Sequence, residues 1–96
     1  MSITINAILT ATPGKEDALR EELIKVVHAS REEEGCISYT LHESTDNPET
    51  FVFYENWLDE DALNRHIESN HYKNYRKNIE TLVQKREVYR LNIIDL

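Results

Sequence analysis

Thr50-Phe51-Val52-Phe53-Tyr54-Glu55-Asn56-Trp57-Leu58 is the stretch whose side-chain pattern decides the architecture. Successive residues of a strand point to opposite faces of its sheet. Phe51, Phe53 and Trp57 share one parity, while Val52, Tyr54 and Leu58 share the other, so this strand is predicted to be covered on both faces.

Moving upstream, Asp46-Asn47-Pro48-Glu49 is turn chemistry, and before it Cys36 to Thr45 carries Ile37, Tyr39 and Leu41 at strand spacing. The two strands form a hairpin. Earlier still, Leu19, Leu23, Val26 and Val27 recur at the i, i+4, i+7, i+8 spacing of one helical face, which predicts a helix over Lys15 to Glu34. Glu16, Asp17, Glu21 and Glu22 favour its positive N-terminal end, and Gly35 is the expected stop. Ile3 to Thr12 alternates as a first strand, closed by Thr12-Pro13-Gly14. Downstream of the decisive stretch, Asp59 is positioned to cap a helix that begins with Glu60 and Asp61. A break is predicted near Ser69, where Ser69 or Asn70 caps a continuation along Tyr72, Tyr75, Ile79, Leu82 and Val83. Val88 to Asp95 closes the chain as a fourth strand, with Tyr89, Leu91 and Ile93 alternating against Arg90 and Asn92.

The order is βαββαβ, an α+β, ferredoxin-like plan: one four-stranded antiparallel sheet with two helical segments on one face, in a single domain spanning residues 1–96. Two helical segments cover one side of such a sheet only. Strands one and three are apolar on both parities, so a second copy is the expected cover, pressed sheet to sheet in a homodimer with the last strand reaching across.

Eleven Lys and Arg against eighteen Asp and Glu leave a net charge of −7, a field that repels phosphate backbones and anionic lipid. Nucleic acid and membrane are therefore not expected partners. No basic residue precedes Lys15 and no apolar run approaches the roughly 20 residues of a membrane span. The single cysteine, Cys36, reads as a small buried apolar residue in a reducing cytoplasm.

Phosphate-binding glycine loops, paired CxxC motifs, nucleophile elbows and HExxH are all missing from the sequence. What remains is polar residues oddly placed for a core: Asn6 within the first strand, Glu55 beside Trp57 in the third, and His66 on the following helix between Leu63 and Ile67. A carboxamide, an indole N–H and an imidazole titrating near 6.5 suit a site that holds an oxygen atom and moves a proton. Each also has a purely structural reading: Asn6 bonding a loop, Glu55 pairing with a basic residue of the last strand, Trp57 and His66 packing in the core. Tyr39, Tyr54, Tyr72 and Tyr75 fit the walls of a mainly apolar pocket. No metal site is expected: His71 follows His66 by five residues, about 140° around a continuous helix, and His28 and His42 add no cluster.

The ordered set Glu34-Gly35-Cys36-Ile37-Ser38-Tyr39, Phe51-Val52-Phe53-Tyr54-Glu55-Asn56-Trp57, Ala62-Leu63-x-x-His66 and Ser69-x-His71-Tyr72 resembles the antibiotic-biosynthesis monooxygenase (ABM) family over nearly the whole chain. The resemblance implies a dimeric α+β barrel and a monooxygenase without cofactor, acting with O₂ on small electron-rich aromatics such as quinols or anthrones. It also implies that His66, Asn6 and Trp57 are catalytic, with Asn6 and Trp57 pointing to the helix-covered side as Phe53 and Glu55 do. Tyr39, Phe53, Glu55 and Tyr72 then bind the substrate. The alternatives are a proton-shuttling isomerase of a small hydroxyketone or signalling sugar, as some members of the family resemble, and a non-catalytic ligand-binding dimer. A haem-degrading branch resembles the family too, but its axial histidine falls here near Arg76, a side chain that cannot ligate iron.

Overall fold

The computed structural model describes residues 2–96. Its elements are β1 (Ile3–Ala11), α1 (Glu16–Arg31), β2 (Cys36–Glu43), β3 (Thr50–Trp57), α2 (Glu60–Glu68), α3 (Asn70–Asn78) and β4 (Val83–Leu91). The strands form one sheet in the order β2-β3-β1-β4, every neighbouring pair antiparallel, so the ferredoxin-like α+β plan holds. No helix among the described residues is long and apolar enough to cross a membrane.

The core lies between the sheet and the helices. On β1 the residues Ile5, Ala7, Leu9 and Ala11 are buried, and on β3 their counterparts are Phe51, Phe53, Glu55 and Trp57. α1 closes over them with Leu19, Leu23, Val26 and Val27, the stripe its sequence spacing predicts. α1 ends at Arg31, three residues before the expected Glu34, because the amides of Glu32 and Glu33 turn back to the carbonyls of Ala29 and Ser30. That tightened turn releases Glu33 from the helix surface.

Gly35 is therefore not the helix stop it was expected to be. It is needed for space: a Cβ built there would lie 2.2 Å from Ala62 Cβ, at the crossing of the α1–β2 loop over α2. Gly35→Ala is expected to destabilise the protein by about 1–3 kcal/mol, the usual scale of core overpacking, read as a lowered urea midpoint.

Asp59 caps α2 as expected, its Oδ1 accepting from the Ala62 amide at 2.8 Å. The helical region breaks at Ser69, which is extended at φ −68° and ψ 152°. Its hydroxyl donates to the His66 carbonyl at 2.6 Å and accepts from the Tyr72 amide at 3.3 Å, finishing one helix and starting the next. In β2, a bulge between Cys36 and Ser38 leaves Ile37 as an extra, exposed residue, so it does not share a buried face with Tyr39 and Leu41. β4 begins at Val83, not Val88. α3 turns off after Asn78, and the Thr12 amide takes the Leu82 carbonyl, so pairing with β1 starts at once. It also ends early, at Leu91: Thr4 is the last β1 residue paired with it, and residues 92–96 run past the sheet with Ile93 and Ile94 exposed.

The face away from the helices carries Thr4, Asn6, Ile8, Val52, Tyr54, Asn56, Tyr89 and Leu91, all half-buried or exposed. Thr4 donates to Asn56, and Asn56 to Ser38, at 2.7 and 2.8 Å across three strands.

Candidate functional site

A cavity of about 80 Å³ lies between the sheet and the α2–α3 pair. Tyr39, Phe53, Glu55, His66, Tyr72 and Arg86 line it, and it opens beside Ile67 of α2 and Val88 of β4, both 45% exposed. It is smaller than the roughly 300 Å³ at which small-molecule pockets usually begin. A single aromatic ring therefore needs the wall near Ile67 and Tyr72 to give way.

His66 is 1% exposed, on the last turn of α2. Its imidazole lies against the Trp57 indole with centroids 4.2 Å apart, and the Tyr39 and Tyr72 rings meet it edge-on at 5.7 and 4.9 Å. Nδ1 is 2.7 Å from Glu33 Oε2. A carboxylate only accepts, so Nδ1 carries the proton and donates, which leaves the lone pair on Nε2. Nε2 is buried with no hydrogen-bond partner. Burial holds the His66 pKa below the usual histidine value, against the opposing hydrogen bond and charge of Glu33, and the neutral imidazole is favoured.

Glu55 is 5% exposed and accepts from Trp57 Nε1 at 3.0 Å. Burial pushes its pKa up to about 7, although the Trp57 hydrogen bond and the Arg86 charge pull the other way. Burial also drives the Tyr39 hydroxyl far above the ordinary phenol range, so it stays protonated, and lifts Tyr75 to about 12. Arg86, on β4, donates through Nη2 to Tyr72 Oη at 3.1 Å, while its Nε is buried without a partner. Arg76, at the position of the expected haem ligand, donates to the same Tyr72 hydroxyl at 3.4 Å.

Around one small hollow thus gather His66 with an unpartnered Nε2, Arg86 with an unpartnered Nε, and a Glu55 carboxyl poised near neutrality, among aromatic walls. Such a set can take a proton from a substrate and hold the resulting oxyanion. His66, Tyr39, Phe53, Glu55 and Tyr72 share the lining of this cavity, and Trp57 stands behind His66, bonded to Glu55.

Asn6 does not join them, which corrects its expected place. The register pairs Ile3 with Trp57, Ile5 with Glu55 and Asn6 with Tyr54, and directly paired residues share a face. Asn6 therefore lies on the side away from the helices. Arg86 and Glu33 are the residues sequence reasoning missed; a basic partner for Glu55 on the last strand was the one signal toward Arg86.

The 140° separation assigned to His66 and His71 also fails, since the break at Ser69 gives each its own helix. His71 Nε2 lies 2.8 Å from the same Glu33 Oε2 that His66 reaches, and the donor atoms of all three residues fall within 4.8 Å of one another.

The chain is 35% identical over 83 residues to the putative monooxygenase Rv0793 of Mycobacterium tuberculosis, covering 86% of this chain and 81% of that protein. It is 34% identical over 73 residues to the putative monooxygenase YcnE of Bacillus subtilis, covering 76% and 77%. Among solved structures, PA3566 from Pseudomonas aeruginosa superposes with a TM-score of 0.93 at 34% identity, over 98% of this chain and 95% of that one. The family model described as antibiotic biosynthesis monooxygenase matches residues 2–78. The chain belongs to the antibiotic biosynthesis monooxygenase family and is classed with its monooxygenases.

Proposed function

We propose that the protein is a cofactor-independent monooxygenase that uses O₂ on small electron-rich aromatics of the quinol or anthrone type. The observation that carries this reading is the buried His66 in the cavity wall, with Nδ1 held by Glu33 and Nε2 without a partner. Nε2 takes a proton from the substrate hydroxyl or activated C–H, and the unpaired Arg86 Nε–H receives the oxygen that becomes negative. The resulting anion passes one electron to O₂. Substrate radical and superoxide combine into a peroxide anion by forming a C–O bond, the proton held on Nε2 returns to it, and loss of water leaves a carbonyl on the ring. All the electrons that reduce O₂ come from the substrate.

The aromatic walls of Tyr39 and Phe53 exclude water and orient the ring, with Tyr72 and Glu55 at the substrate's polar edge. The working unit is a homodimer. Ile8, Val52, Tyr54, Tyr89 and Leu91 on the open sheet face, with Ile93 and Ile94 beyond it, supply an apolar surface for a second copy.

Oxygen consumption by EDTA-treated protein with a benzohydroquinone and with an anthrone tests the reaction. Uptake well above the uncatalysed rate is expected, and Asn6→Ala is expected to keep it within about twofold, since that side chain faces away from the cavity. No uptake with either substrate class defeats the proposal. Anaerobic turnover of a hydroxyketone would replace it with an isomerase using the same lone pair.

A further inference from the structure

We propose that Glu33, His66 and His71 form a binding site for a divalent transition-metal cation of the zinc type, and that filling it converts the cavity-facing nitrogen of His66 from acceptor to donor. Two imidazoles and a carboxylate are a common donor set for zinc and its first-row neighbours. Here they arrive from three separate elements: Glu33 from the turn after α1, His66 from the end of α2, and His71 from the start of α3. Oε2 of Glu33 is 2.7 Å from His66 Nδ1 and 2.8 Å from His71 Nε2, with every donor pair inside 4.8 Å.

Four-coordinate zinc, bonded at about 2.0–2.1 Å, sets its donors roughly 3.3 Å apart. The two Glu33 contacts therefore need to lengthen by about half an ångström. Glu33 sits in a turn, and its terminal carboxylate torsion is soft. The side chain of His71 is 29% exposed and that of Glu33 16%, which leaves an approach for the ion and a position for water.

The consequence for the cavity follows from proton counting. A neutral imidazole carries one N–H. While Glu33 accepts from Nδ1, that proton is on Nδ1 and Nε2 is a base; a cation bound at Nδ1 requires the lone pair there and moves the proton to Nε2. Metal-loaded protein then presents a donor where the proposed reaction needs an acceptor, so the ion acts as an off-switch. This second half rests on His66 serving as the base, whereas the binding site itself does not.

Tag-free protein, stripped with EDTA and dialysed, is titrated with Co²⁺ and followed by visible absorption, with Zn²⁺ then added as competitor. One Co²⁺ per chain is expected, with the d–d bands of low-coordinate cobalt, displaced by one equivalent of Zn²⁺. His71→Ala and Glu33→Gln are each expected to weaken binding by at least about tenfold, while His28→Ala and His42→Ala leave it unchanged. Nitrogen-15 spectra of His66 should report an Nδ1–H tautomer without metal and Nε2–H with Zn²⁺. Absence of binding, or binding that survives both His71→Ala and Glu33→Gln, overturns the site. An unchanged tautomer, or quinol oxidation equally fast with and without Zn²⁺, overturns the switch. Cobalt bands without any turnover in stripped protein would leave the site standing and defeat only the proposed reaction.

Discussion

His66→Ala protein is expected to oxidise a quinol about 10²–10⁴-fold more slowly than the wild type, the usual contribution of a positioned proton acceptor. The size follows from the isolation of this imidazole. His66 lines the cavity with a buried, unpartnered Nε2, and 1% exposure leaves little room for a solvent base to stand in. Glu33→Gln should have a smaller effect, about 10–100-fold, as for other groups that orient a functional histidine. A glutamine Oε1 can still accept from Nδ1, so the useful tautomer survives while the carboxylate charge is lost. Oxygen uptake measured at a temperature where circular dichroism shows both variants folded checks the ordering. A His66→Ala rate within tenfold of wild type would remove this residue from the chemistry.

Folding stability should fall by about 3 kcal/mol between pH 4.5 and 8 on account of Glu55 alone, and Glu55→Gln should abolish that fall. Burial raises the Glu55 pKa from 4.5 to about 7 in the folded protein, so folding favours the protonated acid. The stabilisation is full below about pH 4.5, where the acid is protonated folded or unfolded, and declines as pH rises toward 7 because only the unfolded chain has released its proton. Above 7 both states are ionised and the curve flattens. The glutamine side chain of that variant keeps an oxygen for the Trp57 N–H and carries no charge to desolvate. Urea unfolding of both proteins at pH 5, 6, 7 and 8 gives the comparison: the difference should open with pH, with the variant the more stable at pH 8. Parallel curves would contradict it. An uncharged residue would suit this place better in the folded state, so the carboxyl is held there at a cost to the fold.

Much of this molecule was legible in its sequence because the signals are local. The two-sided apolar pattern of β3, the Leu19 to Val27 stripe and the Asp59 and Ser69 caps each report on neighbours within a few residues. The side of the sheet that Asn6 occupies was not legible. Alternation separates two faces but does not say which of them meets the helices; that is decided by the pairing of Ile3 with Trp57, more than fifty positions away. Glu33 was hidden for the same reason. Its partners lie 33 and 38 positions downstream, and it is free to reach them only because α1 closes one turn early. The start of β4 was obscured by Leu82 and Val83, which continue the helical spacing of α3 yet follow the turn that ends it.

The extra residue at Ile37 bears on how copies of the chain meet. β2 is a border of the sheet, where free amides and carbonyls could recruit a foreign strand and begin a fibre. By throwing one residue out of step beside Cys36, the chain spoils the regular spacing such a recruit would need. Lateral growth is discouraged there.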